Sequence, residues 1–164
     1  MLKPARIYDK ELQTHILGTW YGEKSMYWNS SSYDSTINLF EDNYNTHQFV
    51  SIDAQGDLQG YITYEVDRLA NKASGFGIIS FNKNPIIFAS DLKQVLYDIF
   101  MKYGFCKIEF FAYADNPAIK TYRKFITKYG GREIGIIRDT AKLQDGKLHD
   151  GVMFELFQSE FLSN

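Results

Sequence analysis

Apolar positions along the chain switch between a period of two and a period of 3.6, and the switches outline its elements. "ARIYD" reads as a short first strand. In "DKELQTHILGTWYGEK", Leu12, Ile16 and Trp20 recur at helical spacing, with Asp9 placed to cap the start. A polar, aromatic, Ser-rich stretch follows, with a weak helical segment at Ile37–Phe40. Alternation returns in "FVSID" and "QGYITYEV", separated by the turn signal "AQGD". "SGFGIISFN" is a further strand. Gly75 and Gly77 within it point to a bulge or to the close approach of another backbone.

"NKNPII" reads as a loop, and "ASDLKQVLYDIFMKYG" as an amphipathic helix with an apolar stripe of Leu92, Val95, Leu96, Ile99, Phe100 and Tyr103. Strand "CKIEFFAYA" then runs into helix "NPAIKTYRKFITKYGG", where Pro117 pre-sets the first turn and Asn116 caps it. The tail gives two strands around "LQDGK". Strand, helix, three strands, helix, strand, helix, two strands make an α/β (α+β) fold: a mixed, mostly antiparallel sheet of about seven strands with about four helices. No composition shift divides residues 1–164, so a single domain is expected.

Composition narrows the function classes. Hydrophobic residues are 45% of the chain, and 16% are aromatic, which fits a thick sheet core or an aromatic-lined cleft. A net charge of −2 and no basic run give no reason to expect nucleic acid. No run has the length of a membrane helix, and the N-terminus lacks an apolar leader. With Cys106 as the lone cysteine, a reducing, cytoplasmic setting is expected. No cluster with metal-ligand spacing appears, so no metal is expected.

In the second half, "SGFGIISF", a helix, "KIEFFAYADNPAIKTYRKF", "YGGREIG" and "DGKLHDGVMFEL" follow one another. This succession resembles the GNAT superfamily of acyl-CoA N-acetyltransferases, in the branch of the ribosomal-protein and spermidine enzymes. Asn116, Tyr122, Gly130 or Gly131, and Asp145-Gly146 through Asp150 occupy the matching positions. The pyrophosphate loop, matched to "NPIIFA", departs from the family. Ala89 fits its last position, but Asn84 stands for Gln or Arg and Ile87 for Gly.

The resemblance implies a GNAT-like sheet splayed in the middle and acetyl transfer from acetyl-CoA to a primary amine, on a small molecule or a peptide N-terminus. It implies cofactor contacts from Ile79, Ser80 and Phe81, from Asn84, Phe88, Ala89 and Ser90 at a helix start, and from Asn116 and Tyr122. Helix N-termini attract anions; the plainer reading is that Ser90 caps a helix and Asp91 complements its dipole. Tyr122 is the candidate general acid, or a core residue on its helix's apolar stripe. Glu109 is the candidate base, or a solvated strand residue. His149 reads as a turn residue rather than a base, and His47, which could flank the cleft, has the same plainer structural reading. Trp20, Tyr27, Trp28 and Tyr33 are the candidate acceptor-binding residues. The alternative reading is a non-catalytic domain that binds acyl-CoA or a protein partner. A monomer or a homodimer is compatible with the sequence.

Overall fold

The structure is a computed structural model and describes residues 1–19, 22, 25–27, 36–41, 44–81 and 85–163. Its centre is a seven-stranded sheet in the order β1-β2-β3-β4-β5-β7-β6. The strands are β1 (Leu2–Pro4), β2 (Thr46–Ile52), β3 (Leu58–Asp67), β4 (Lys72–Ser80), β5 (Lys107–Tyr113), β6 (Arg132–Lys142) and β7 (Leu148–Phe157). Every neighbouring pair is antiparallel except β4 and β5. The helices are α1 (Asp9–Thr19), α2 (Pro85–Tyr97), α3 (Ile119–Lys128) and α4 (Gln158–Leu162).

Strand alternation builds two cores. Ile62, Tyr64 and Val66 of β3 face α2, α3 and α4, joining Phe88, Leu96, Phe100, Ile126, Phe154 and Phe161. Tyr61 points to the opposite face, where Val50, Ile52 and Ile79 meet Leu12 and Ile16 of α1. Phe88 packs directly against Gly60: a Cβ at Gly60 would stand 2.3 Å from its ring and 2.6 Å from the Ile79 carbonyl oxygen. Gly60→Ala is therefore expected to push α2 off the sheet and destabilise by about 1–3 kcal/mol, the usual cost of overpacking. Chemical denaturation measures it; unchanged stability would mean that α2 is not seated on this glycine.

Several elements differ from the sequence reading. "ARIYD" is a 3₁₀ turn over Ala5–Tyr8, and the first strand precedes it. Asp9 is the first residue of α1 rather than its cap, and it accepts from Gln13 Nε2 at 3.0 Å. Ile37–Phe40 is not helical and takes no regular structure, its backbone groups being held by two glutamine amides. Gln13 exchanges hydrogen bonds with the Ile37 backbone (2.7 and 3.0 Å), and Gln48 bonds Asn38 O (2.8 Å) and Phe40 N (2.9 Å).

α2 starts at Pro85, whose fixed φ suits a first helical position, so "NPII" is not all loop. α3 starts only at Ile119, after two tight turns. Asn116 does not cap it. Its side-chain oxygen accepts from the Ala118 N–H at 2.9 Å, and its N–H donates to Tyr113 O at 3.0 Å. Asn116 thus shapes the turn by which β5 reaches α3. The closing residues Gln158–Leu162, expected as strand, form α4.

Candidate active site

β4 and β5 touch only at their first residues. Lys72 faces Lys107 and Ala73 faces Ile108, and no further pair forms although both strands continue. From there the strands part, and β4 keeps a ladder on its β3 side alone. The parting begins beside a bulge. On β4, Gly75 and Phe76 together oppose the single residue Tyr64 of β3, since Thr63 pairs with Gly77 and Glu65 with Ser74. Gly75 takes φ +62°, a conformation that other side chains resist. The expected bulge in the Gly75-Phe76-Gly77 run is present, and the backbone here is turned out of the regular ladder.

The gap is floored by apolar side chains: Phe76 and Ile78 from β4, Ile108 and Phe110 from β5, Leu92 and Leu96 from α2, and Tyr122 and Phe125 from α3. Phe110 is the hub. It meets Phe76 edge-on at 6.5 Å, Tyr122 edge-on at 5.7 Å, and stacks on Phe154 at 4.9 Å. Tyr122 is half-buried in this wall, and burial pushes its phenol above the usual value. A larger hollow of about 460 Å³ lies between Pro4–Ile7 and Phe40-Glu41, where Arg6 Nη1 donates to the Glu41 carbonyl at 3.1 Å.

The other candidate residues fall as follows. Ile79 turns its side chain into the α1 core, so only its backbone borders the gap, and the Phe81 ring lies tilted against His15 at 4.4 Å. Phe88 is core. Ala89 and Ser90 lie in the second turn of α2, where backbone N–H groups are committed to the helix, so the first-turn reading of these residues is corrected. Asp91 turns away from the helix start: its Oδ2 accepts from Ser51 Oγ and from the Met1 amino group, both at 2.7 Å. Asn84, Trp20, Trp28 and Tyr33 lie outside the described residues.

Glu109 is not placed as a base. Alternation along β5 points it to the face opposite Phe110 and Tyr122. There it joins a charge ladder: Lys72 and Lys107 each reach it at 2.5 Å, and Lys107 and Arg132 reach Glu155 at 3.7 and 2.5 Å. The hydrogen bonds from Lys107 and Lys72 hold its carboxyl below the usual range, which suits an ion pair and not a proton acceptor. His47 stacks on Tyr64 at 4.8 Å, and burial lowers its pKa.

A second polar cluster stands where β5 ends, and the sequence pattern did not assemble it. His149 is a buried strand residue of β7 rather than a turn residue. Its Nδ1 is 2.7 Å from Asp115 Oδ2 and its Nε2 is 3.0 Å from Asp145 Oδ1. The ring of Tyr113 lies 6.3 Å from His149 and 6.4 Å from Tyr27. The Tyr113 hydroxyl is buried and has no hydrogen-bond partner among the described residues. Tyr27 has its phenol pushed up, first by burial and then by Asp115 and Asp145, so the local field is negative. The four-residue spacing of Asp145 and His149 was visible, but Asp115 joins them only through the fold.

The hydrogen bond to Asp145, and then Asp115, raise the His149 pKa above 6.5 against a desolvation that lowers it. A histidine whose pKa rises on folding stabilises the protein while protonated. That contribution is complete below about pH 6.5 and fades as the pH climbs through the raised folded value. His149→Gln should therefore melt well below wild type near pH 6, with the gap narrowing toward pH 9 (both about). Melting curves across that range check it, and a gap that widens with pH would contradict the assignment.

Three solved structures can be set beside this one. The spermidine N-acetyltransferase of Vibrio cholerae in complex with CoA and spermine superposes over 99% of this chain and 97% of that one, with 19% identity and a TM-score of 0.76. The chain has the GNAT fold. Its GNAT architecture is also similar to the spermidine/spermine N-acetyltransferase SpeG of the same organism in complex with manganese ions (22% identity, 74% of this chain and 70% of that one, TM-score 0.64). The dodecameric form of that spermidine N-acetyltransferase in an intermediate state gives 22% identity, 73% and 69% coverage and a TM-score of 0.63. No protein-family model matches the chain, and no curated protein does. Among the described residues, no helix of this GNAT fold is long and apolar enough to cross a membrane, and no group of side chains is arranged to hold a metal ion.

Proposed function

We propose that the chain is an acetyl-CoA-dependent N-acetyltransferase acting on a primary amine. The observation that carries this reading is the parting of β4 and β5 after one two-residue contact, beside the Gly75-Phe76 bulge, with Tyr122 in the wall of the gap. The residues present fit the cosubstrate. A strand edge without a ladder partner matches the amide-bearing pantetheine arm, and an apolar floor of Phe76, Ile78, Phe110 and Tyr122 suits a thioester. The start of α2 at Pro85 favours phosphate through the helix dipole.

Acetyl-CoA, when bound, supplies the thioester carbon that the amine attacks. The bulged β4 backbone offers an N–H aimed out of the ladder, a donor for developing oxyanion charge that needs no side chain. Tyr122 holds its proton at Oη, because burial raises its pKa, and it donates that proton to a departing thiolate. No described carboxylate or imidazole faces Tyr122 across the gap, so water is assigned the removal of the amine proton.

The acceptor is proposed to be a small cationic amine. Tyr27, the unpartnered Tyr113 hydroxyl, Asp115 and Asp145 supply aromatic surface, a buried polar group and negative field at the end of β5. The spermine in the complex of the structural neighbour is a small cationic amine of this class. Tyr27 is proposed as an acceptor contact on its place beside Tyr113, and Trp20, Trp28 and Tyr33 stand as proposals from the sequence.

The test is calorimetry with acetyl-CoA, followed by a thiol-release assay over diamines, polyamines, amino sugars and peptides. Binding with CoA release on polyamines or diamines supports the reading. No binding at high micromolar acetyl-CoA would sink it. Binding without release on any amine would leave the non-catalytic acyl-CoA-binding alternative in its place.

A further inference from the structure

β6 closes one edge of the sheet, so among the described residues no strand lies beside its outer backbone groups. Every residue from Arg132 to Thr140 is exposed. Ile136 and Ile137 point to opposite faces, yet they are 58% and 50% exposed, and Ile134 is 50% exposed. Natural sheets rarely leave so long an apolar edge in water. The charges along it are ordered: "REIGIIRD" has Arg and Glu before the isoleucines and Arg and Asp after them. Reversed against a second copy of itself, the stretch sets Glu133 opposite Arg138 and Arg132 opposite Asp139.

Geometry must allow that register. A two-fold axis through an antiparallel strand pair carries each residue to a position on the same face, so paired residues must be an even number of strand positions apart. Glu133 and Arg138 are five residues apart, which an unbroken strand would forbid. β6 is not unbroken. Against β7, Glu133 faces Phe154 and Gly135 faces Met153, so Ile134 is an extra, bulged residue. The bulge removes one position from the count. Glu133 lies on the face of Phe154, and Arg138, one step past Ile137 opposite Gly151, returns to it.

The axis then passes at Ile136, facing its own copy, with the Ile134-Gly135 bulge across from Ile137. Sliding to the next symmetric register on either side sets Ile136 against Glu133 or against Arg138, and both ion pairs are lost. At Asp139, φ +50° ends the regular strand and so bounds the paired stretch. Within one copy Glu133 already accepts both Arg123 nitrogens and Arg132 binds Glu155, whereas Arg138 has no ion partner among the described residues.

We propose that β6 is a homodimer interface, pairing antiparallel with β6 of a second copy about an axis at Ile136. Such a contact is self-complementary and closed, as two-fold assemblies require, and it joins the two sheets into one.

Sedimentation of the full chain up to high micromolar concentration tests the interface by charge exchange. Wild type is expected to be a dimer. Arg138→Glu sets carboxylate against carboxylate and Glu133→Arg sets guanidinium against guanidinium, each weakening the dimer at least about tenfold. The double reversal, Glu133→Arg with Arg138→Glu, restores it. Ile136→Lys, at the axis, is expected to give monomer with an unchanged circular dichroism spectrum. A wild type that stays monomeric throughout would overturn the proposal. So would single reversals that dimerise like wild type, or a double reversal no tighter than the singles.

Discussion

Replacing Tyr122 by Phe is expected, on the proposed reading, to lower turnover by about 10²–10⁴-fold, the usual weight of a positioned general acid, and to leave acetyl-CoA affinity within about threefold of wild type. The split follows from where Tyr122 sits. Its ring is part of the apolar wall, edge-on to Phe110 at 5.7 Å and packed beside Phe125, and phenylalanine keeps that ring. Only the hydroxyl is lost. A group that gives up its proton as the thiolate forms contributes to the transition state and not to ground-state binding, so kcat falls while the dissociation constant holds. Burial raises the Tyr122 pKa above 10.0, so the phenol stays protonated across the neutral range. The alkaline arm of the wild-type rate profile should therefore fall only above that value. Steady-state kinetics with calorimetry on the same samples decide it: unchanged kcat would make Tyr122 a wall residue alone. Tyr122→Leu separates the ring from the hydroxyl and is expected to lose affinity as well.

The core residues and the strand succession could be read from the chain because period and turn chemistry are local. Gly75 and Gly77 announced a bulge, and the bulge is there. What could not be read depended on long-range partners. Ile37–Phe40 was read as a weak helical segment, but Gln13 and Gln48, 24 and 10 residues from their respective partners Ile37 and Asn38, bind its backbone outside any helix. Glu109 looked free to act as a base because Lys72, which faces it across the sheet, is 37 residues away. Asn116 before Pro117 had the signature of a helix cap, yet its side chain is used by the turn that precedes α3. The same rule explains the site. The inward position of Tyr122 was legible because helix period places it on the apolar stripe, whereas Asp115, His149 and Tyr113 meet only once β5 and β7 are paired.

Phe154→Ala is expected to destabilise the protein by about 3–5 kcal/mol, enough to consume much of the roughly 5–15 kcal/mol by which a domain is usually stable. Phe154 is fully buried in the middle of β7, between β5 and β6, and its ring stacks 4.9 Å from Phe110. Removing it loses the transfer energy of a large aromatic side chain and leaves a cavity beneath Phe110. The surrounding strands can close that cavity only by breaking their ladders. Phe110 in turn holds Phe76 and Tyr122 at its edges, so the same cavity loosens the floor of the gap between β4 and β5. Two readouts should therefore move together: the denaturation midpoint falls, and acetyl-CoA affinity weakens at temperatures where the variant remains folded. Phe154→Leu, which refills most of the volume, is expected to recover more than half of the stability but less of the affinity, because an aliphatic side chain does not present a ring face to Phe110. A Phe154→Ala variant as stable as wild type would show that the aromatic stack is not what fixes the floor.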